Sequence, residues 1–292
     1  MLLCTDKLTK AYDGFLALDQ LDLAVRPGEI VGLLGPNGSG KSTALRLLLG
    51  FLRPTSGAAS IAGHDCWHDG VSARRHVAYL PGELRLYENM TARQLVRFLC
   101  ALRGETPGDR IDRLASRFEV DVSRPIAHLS SGMKRKVALL QALLPETPLV
   151  ILDEPTNTLD PNMRDELLGQ LREAKSRGQA VLFSSHVLAE VERVCDRVAI
   201  LQRGRLVHEQ DIQALRAERR VKLRLARPTP LPELPGLHSS APVDGTLDLR
   251  YSGPLPALLE WLATQPVVDL QIEPAGLADV YHRYHPSESA SY

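Results

Sequence analysis

One segment of the chain fits the full pattern G-x-x-x-x-G-K-[ST] of a phosphate-binding loop. It consists of Gly35, Pro36, Asn37, Gly38, Ser39, Gly40, Lys41, Ser42 and Thr43. A triphosphate needs several hydrogen-bond donors that converge on its oxygens, and the backbone N–H groups of a tight concave loop supply them. Glycines let that backbone adopt conformations that a side chain would forbid. We expect Lys41 to reach the β- and γ-phosphates and the Ser42 hydroxyl to bind Mg²⁺.

The residues on either side of this loop have the composition that such a site requires. Before it, residues 29–34 form a short, mostly apolar run that is typical of a buried strand, and after it residues 44–49 are mostly strong helix formers. A helix that starts at the loop directs its N-terminus at the bound phosphates. The alternative, a surface turn beside an unrelated lysine, does not account for these flanks.

Length and charge narrow the class of protein. A chain of 292 residues is typical of about two domains. Lys and Arg total 35, and so do Asp and Glu, so the net charge is zero, whereas a dedicated nucleic-acid binder usually has a basic surplus. We therefore expect no nucleic-acid partner. Basic side chains cluster within residues 216–227, and a solvated helix end and strand face explain this cluster better than a phosphate or lipid site does.

The cysteines and the apolar runs indicate the environment of the protein. Cys4, Cys66, Cys100 and Cys195 lie far apart and form no C-x-x-C pair, which indicates reduced thiols in a cytosolic protein. The first residues do not read as a signal peptide, and no apolar run approaches the roughly 18 residues of a membrane span. A role at a membrane would therefore require a second chain that supplies the spanning part.

Hydrophobic patterns predict an α/β core. Alternation within residues 1–30 predicts antiparallel strands, residues 86–145 are mainly helical, and a capping pattern at Thr91 marks the start of one helix. Apolar runs at residues 149–152 and 180–183 predict strands that are buried on both faces. The pattern predicts a P-loop NTPase core over residues 1–205, with an antiparallel β-subdomain and a helical subdomain.

A second, smaller α/β domain is expected over residues 206–292. Asp211 is expected to cap a helix that ends near Arg220, and the prolines of residues 228–236 predict a loop. The remaining segments are predicted as strands at 246–251 and 267–272, helices at 256–264 and 276–284, and a frayed tail at 287–292. We expect this domain to be an accessory one.

Two adjacent carboxylates follow the apolar run at residues 149–152. Asp153 and Glu154 are thereby placed at the carboxyl end of a strand, where ligands bind in open α/β sheets. Asp153 is suited to the Mg²⁺ shell, and Glu154 is placed to act as a general base toward water. An exposed Asp-Glu-Pro turn is the alternative, and the phosphate-binding loop upstream makes it the weaker one.

A further segment resembles the signature sequence of ATP-binding-cassette (ABC) proteins, which is usually Leu-Ser-Gly-Gly-Gln. It reads Leu129, Ser130, Ser131, Gly132 and Met133, and it lies about twenty residues before Asp153, as it does in that family. Residues 157–160 are similar to the family's D-loop, which contacts the opposite protomer. His186 resembles the switch histidine that touches the γ-phosphate, and Tyr12 resembles the aromatic residue that stacks on adenine. The resemblance covers residues 2–212.

The resemblance implies the ATP-hydrolysing subunit of an ABC transporter, with ATP and Mg²⁺ as its ligands. ABC sites are composite: one chain supplies the loop with the catalytic Lys41, the metal ligands Ser42 and Asp153, and Glu154 and His186, and the facing chain supplies Ser130 and Gly132. A homodimer is therefore expected, together with a separate integral-membrane permease that docks near residues 86–102. The implied location is the inner face of the cell membrane. Residues 273–281 are similar to the closing segment of drug- and antibiotic-efflux subunits.

Some positions depart from the family pattern. Gly82 follows Tyr-Leu-Pro where the family usually has a glutamine, and Glu83 is the residue that could compensate. Ser131 and Met133 replace a glycine and a glutamine of the signature. Altered coupling to the partner is the expected consequence, with nucleotide binding retained. The alternative function is a soluble or regulatory ABC ATPase that is not coupled to transport.

Overall fold

The computed structural model describes residues 1–227, 229–232, 234–239 and 246–284. Contacts divide the chain into two compact units, Met1–Glu209 and Gln210–Tyr292. The sequence analysis places the boundary after residue 205, at the start of a strand that runs from Arg205 to Asp211. The tail predicted at residues 287–292 lies outside the described residues.

The first unit alternates between strands and helices. Its strands are β1 (Leu3–Tyr12), β2 (Phe15–Leu21), β3 (Ala24–Val25), β4 (Ile30–Leu34), β5 (Ser56–Ile61), β6 (His64–Asp65), β7 (Val77–Leu80), β8 (Leu149–Leu152), β9 (Ala180–Ser185), β10 (Arg197–Gln202) and β11 (Arg205–Asp211). Its helices are α1 (Lys41–Leu48), α2 (Gly70–Arg75), α3 (Ala92–Leu102), α4 (Arg110–Arg117), α5 (Ser131–Leu143), α6 (Pro161–Ser176) and α7 (Leu188–Val194).

An antiparallel sheet opens the chain, as the alternation over residues 1–30 predicts. Its strands pair in the order β2–β1–β5–β6, and β3 also pairs with β1. Leu3, Leu18 and Leu21 point from this sheet into a buried apolar cluster that also contains Leu45 and Leu48 of α1. This sheet therefore packs on the same core as the helix that follows the phosphate-binding loop.

The central sheet brings the predicted site segments together. Its strand order is β11–β10–β4–β9–β8–β7, and the pairs from β10 to β7 are parallel. β4, β8 and β9 are buried along their whole length, as their apolar runs predict. The register pairs Leu34 with Ser185 and Leu152 with Phe183. The carboxyl ends of these strands thus lie side by side at one edge of the sheet, which is where open α/β sheets bind ligands.

Residues between β7 and β8 form the predicted helical subdomain. Thr91 caps α3 with a capping box, since its side chain accepts from the Gln94 N–H and the Gln94 side chain accepts from the Thr91 N–H. A single 3₁₀ turn at Ile126–His128 precedes α5. The α/β fold class with an antiparallel β-subdomain and a helical subdomain is thereby confirmed.

The second unit contains its own sheet and apolar core. Its elements are α8 (Ile212–Ala217), β12 (Arg219–Leu225), β13 (Leu237–Ser239), β14 (Thr246–Tyr251), α9 (Leu255–Ala263), β15 (Val267–Pro274) and α10 (Leu277–Tyr284). The strands pair in the order β13–β14–β12–β15. Val221, Leu223 and Leu249 of the sheet pack against Leu258 and Leu262 of α9.

One helix boundary in this unit was wrong. The Asp211 side chain caps α8 as expected, but α8 ends at Ala217 and Arg219 already belongs to β12. Val221 and Leu223 alternate with basic residues and are buried, so the segment has the period of a strand with one face in the core. Arg220, on the other face, pairs with Asp248 of the neighbouring strand at 2.6 Å.

Among the helices of the described residues, none combines the length and the apolar character that a membrane span requires.

The capping box makes α3 sensitive to a single substitution. Thr91→Ala removes the acceptor for one orphan N–H of the helix, so we expect the free energy of unfolding to fall by about 1 kcal/mol. The measurement is a urea titration of the full chain. Ser116→Ala, at an exposed position inside α4, is the control and should change stability by less than about 0.5 kcal/mol. Equal effects of the two variants would contradict the capping role.

Candidate functional site

The loop between β4 and α1 is built around glycines with positive φ. Gly38 and Gly40 have φ angles of 80° and 106°, which L side chains rarely adopt. A Cβ on Gly40 would lie 2.7 Å from the carbonyl oxygen of Ala17, whereas a Cβ on Gly38 would meet nothing within 4 Å. The backbone at Gly38 is therefore open on one side and free to approach a ligand closely.

Ser39 carries a buried hydroxyl within this loop. Its Oγ has no hydrogen-bond partner among the residues that the structure describes. Its backbone N–H donates to the Pro36 carbonyl at 3.1 Å, which closes the loop into a tight turn. Buried polar atoms are nearly always paired, so an unpaired hydroxyl inside a concave loop fits a site that is completed by a polar ligand.

Lys41 is the first residue of α1, and its side chain folds back over the loop. The ammonium Nζ donates to the carbonyl oxygens of Gly35 at 2.5 Å and Pro36 at 3.2 Å. It also lies 3.5 Å from Glu154 Oε1, and the side chain is only 6% exposed. The loop thus holds a buried positive charge next to the carboxylate of Glu154, which follows a different strand, β8.

Ser184, on β9, joins the two carboxylates that follow β8. Its hydroxyl donates to Asp153 Oδ1 at 2.6 Å and accepts from the Glu154 N–H at 2.9 Å. Asp153 is 5% exposed, and Ser184 is fully buried. This contact fixes the orientation of the Asp153 carboxylate, and the sequence analysis did not assign it.

Glu154 has a strained backbone. Its φ angle is 48°, a conformation that costs a non-glycine residue on the order of 1–3 kcal/mol and that is frequent at functional sites. One carboxylate oxygen faces Lys41, and the other lies 2.8 Å from Nδ1 of His186. His186 follows the end of β9, and its side chain is 49% exposed whereas that of Glu154 is 15% exposed. The carboxylate is therefore fixed from two sides.

A cleft of about 390 Å³ opens in front of the loop and Glu154. Its lining brings most of the predicted nucleotide-binding residues together, namely Tyr12, Pro36, Asn37, Gly38, Gly40, Lys41, Ser42 and Thr43. Phe15 also lines it with an exposed ring. Phe15 was not predicted from the sequence. The available signal was an aromatic residue three positions after Tyr12, on the other side of a turn.

Ser130 and Gly132 lie elsewhere in the first unit. Neither is among the described residues that line the cleft. Ser130 is exposed and caps α5, with its Oγ accepting from the Met133 N–H at 3.3 Å. A Cβ on Gly132 would lie 3.3 Å from the Thr158 carbonyl, so the signature residues sit beside the segment that resembles the D-loop.

Gly82 lies against the carboxylate of Asp153. A Cβ at this position would be 3.2 Å from Asp153 Oδ2, so a larger side chain would compete for the space next to that oxygen. Glu83 is exposed. Burial raises the pKa of the nearby Tyr79 to about 12, and the negative charge of Asp153 makes a smaller contribution in the same direction.

Two oxygen donors, one at the start of α1 and one after β8, fit Mg²⁺. Ser42 contributes a hydroxyl and Asp153 a carboxylate, which are the hard ligands this ion prefers, and Mg²⁺ commonly takes its remaining ligands from water and substrate phosphates. The described residues contain no cluster of three or more His, Cys, Asp or Glu side chains that could hold a metal by themselves.

A glycine loop after a central parallel strand, with two carboxylates at the end of another strand of the same sheet, defines a P-loop NTPase. The ABC transporter family model matches residues 18–157. A solved structure of an ATP-binding subunit of an ABC transporter has a TM-score of 0.70 and 35% identity, and the match covers 74% of this chain and 92% of that one.

Two curated relatives are similar to this chain. The chain is 36% identical over 217 residues to the probable multidrug ABC transporter ATP-binding protein YbhF of Escherichia coli, a match that covers 73% of this chain but only 37% of YbhF. It is 34% identical over 208 residues to the Nod factor export ATP-binding protein I of Burkholderia thailandensis, covering 70% of this chain and 68% of that protein. The chain belongs to the ATP-binding subunits of ABC transporters, which is a family of ATPases.

The contact between Ser184 and Asp153 generates a prediction about Mg²⁺. Ser184→Ala leaves Asp153 without the donor that orients it, so the Mg²⁺ concentration for half-maximal ATPase activity should rise by about 10- to 100-fold. Thr147→Ala removes a buried hydroxyl near the opposite end of β8 and is the matched control. An unchanged Mg²⁺ requirement in the Ser184 variant would show that this hydroxyl does not orient the metal ligand.

Proposed function

We propose that this chain binds and hydrolyses ATP, dimerises on ATP, and drives a separate membrane permease as part of an exporter. The observation that carries the proposal is the position of the Glu154 carboxylate at the cleft, between the ammonium of Lys41 and the imidazole of His186. That arrangement supports the proposal, because it brings together a carboxylate suited to act as a general base, a cation suited to bind phosphate and an imidazole that can orient the carboxylate.

The cleft can hold a nucleotide in a defined direction. The backbone N–H groups of the loop and the ammonium of Lys41 would bind the phosphates, and the exposed rings of Tyr12 and Phe15 would stack on the base. Stacking of a base on an aromatic ring contributes about 1–3 kcal/mol. Ser42 and Asp153 would hold Mg²⁺, which supplies neutralisation of phosphate charge when it is bound.

Hydrolysis follows from the contacts of Glu154. Its carboxylate accepts a proton from the attacking water, whose oxygen forms the new bond to the γ-phosphorus while the bond to the β,γ-bridging oxygen breaks and ADP leaves. His186 orients the carboxylate through the 2.8 Å contact. Lys41 places its positive charge where negative charge develops on the phosphate oxygens.

The exposed Ser130 supports a site that is shared between two chains. Ser130 and Gly132 lie outside the cleft that holds Lys41, so they are available to the nucleotide of a second copy. ATP would then join two protomers, and loss of the γ-phosphate contacts on hydrolysis would let them separate. This is a population shift that is driven by the difference in binding between ATP and ADP.

A groove of about 890 Å³ is our candidate docking surface for the permease. It lies between α3 and a surface formed by α2, β7 and the turn after α1. Its lining combines charged side chains, among them Arg74 and Arg103, with apolar ones, among them Phe51, Val71, Leu99 and Leu102. Phe51, Val71 and Leu102 are exposed, as expected of residues that a partner covers. We place the protein on the inner face of the cell membrane through this contact.

The names of the relatives favour export. YbhF is named as a multidrug transporter subunit and the Burkholderia protein as a Nod factor export subunit. The second candidate function is a regulatory ABC ATPase that is not coupled to transport, and the observation that favours it is Gly82 beside Asp153. The zero net charge remains our reason for expecting no nucleic-acid partner.

The role of Glu154 is tested by Glu154→Gln, which keeps the shape of the side chain but removes the base. We expect ATP to bind with wild-type affinity and the hydrolysis rate to fall by about 10²–10⁴. The measurements are phosphate release and equilibrium binding of a fluorescent ATP analogue. Lys41→Ala is the control with the opposite pattern, because it should weaken binding itself. Near-normal turnover by the Gln variant would refute Glu154 as the base.

A further inference from the structure

Arg135 is a buried arginine on α5 whose whole guanidinium group is hydrogen-bonded to the backbone of two other segments. The side chain is 2% exposed. Arg135 is located one turn after Ser130, on the helix that the signature residues begin. None of the roles assigned above to the nucleotide site uses it.

Each N–H group of this guanidinium has its own carbonyl acceptor. Nη1 donates to the carbonyls of Pro81 at 2.9 Å and Gly82 at 3.1 Å. Nη2 donates to the carbonyl of Asp153 at 2.9 Å and to that of Glu154 through a short bond, and Nε donates to Pro155 at 3.4 Å. A guanidinium has five N–H donors in a fixed plane, so its donor capacity is fully used.

The acceptors come from two neighbouring strand ends. Pro81 and Gly82 follow β7, and residues 153–155 follow β8, the strand that pairs with β7 in parallel. Burying a charged group is unfavourable unless its hydrogen bonds are satisfied, and here the acceptors are carbonyl dipoles. Burial lowers the pKa of Arg135, and the carboxylates of Asp153 and Glu154 raise it.

The hydrogen bonds of Arg135 affect the chemistry of the site through Glu154. Its φ of 48° persists only if the surroundings over-determine it. Ser184 holds its N–H and Arg135 holds its carbonyl, so the peptide groups on both sides of the Glu154 Cα are fixed. The direction in which the carboxylate leaves the backbone depends on that Cα, and a small misplacement of a reacting group can cost about 10²-fold in rate.

We propose that Arg135 is a positioning residue for hydrolysis, which holds Glu154 in its left-handed conformation and links it to α5 and to the turn at Gly82. This inference rests on the proposed ATPase function and deepens it. Arg135 reaches the nucleotide cleft through the backbone of Glu154 and not through the phosphate-binding loop, so its contribution falls on the hydrolytic step.

The first test is Arg135→Lys in the full chain. A lysine ammonium has three donors and no planar fork, so it cannot satisfy both strand ends. We expect kcat to fall by about 10²-fold while KM for ATP and the affinity for a fluorescent ATP analogue stay within about threefold, a difference worth about 0.7 kcal/mol. Arg110→Lys is the matched control, because Arg110 bonds the carbonyl of Leu144 at the other end of α5.

The second test is chemical rescue of Arg135→Ala. Added guanidinium chloride, at concentrations that leave the wild type folded, should restore a measurable fraction of kcat, and sodium chloride at the same ionic strength should not. A role in packing alone would give no rescue specific to guanidinium. Restored turnover supports the proposal even where the Lys variant is unstable.

Two outcomes would overturn the inference. One is a folded Arg135→Lys variant with kcat close to that of the wild type. The other is a loss of activity that matches a loss of ATP affinity or a lowered Tm, with no rescue by guanidinium. Wild type and Glu154→Gln are assayed alongside, so an inactive wild type would reject the proposed function, whereas an active wild type with an equally active Lys variant rejects only the role of Arg135.

Discussion

Parallel backbone pairing between β4, β9, β8 and β7 places four strand ends at one edge of the central sheet. Each end is followed by a different element of the site: the phosphate-binding loop, His186, the two carboxylates, and the turn at Gly82. The contacts across this edge join segments that are far apart in the sequence. A change in the register of any one strand would separate these segments. The geometry of the site is therefore set first by the pairing of the strands and only then by the individual side chains.

Buried charge is the second constraint. Lys41 and Arg135 are both largely buried near the carboxylates of Asp153 and Glu154. Such groups are tolerated because each has carbonyl or carboxylate partners, and removal of one partner leaves the others unsatisfied. The loop, the strand ends and α5 therefore hold one another in place. The strained backbone of Glu154 is retained inside this set of contacts, which explains how the residue that we propose as the general base can adopt an unfavourable conformation.

The sequence predicted those parts of the site whose physical requirements are local. Glycine spacing and the flanking strand and helix were sufficient for the loop, and an apolar run that ends in two carboxylates was sufficient for Asp153 and Glu154. Arg135 and Ser184 were missed because the groups that they bond follow β7 and β8 and are distant from them in the sequence. A signal for Arg135 was present, since it shares the buried face of α5 with Ala138 and Ala142. The start of β12 was misread because its alternate residues are basic, and only the core of the second unit shows which face is inside.

In the dimer that we propose, each chain holds only half of a working ATP site, and its Lys41 and Ser130 serve different nucleotides. This division of the ATP site between two chains can be tested by mixing two inactive variants, Lys41→Ala and Ser130→Arg. ATPase activity is measured before and after mixing. Neither variant alone can form a dimer that contains an intact site. A mixed dimer combines the intact loop of one chain with the intact Ser130 of the other, so we predict that activity returns on mixing. Full activity of Ser130→Arg alone, or no recovery in a mixture shown to contain mixed dimers, would rule out an ATP site that is shared between two chains.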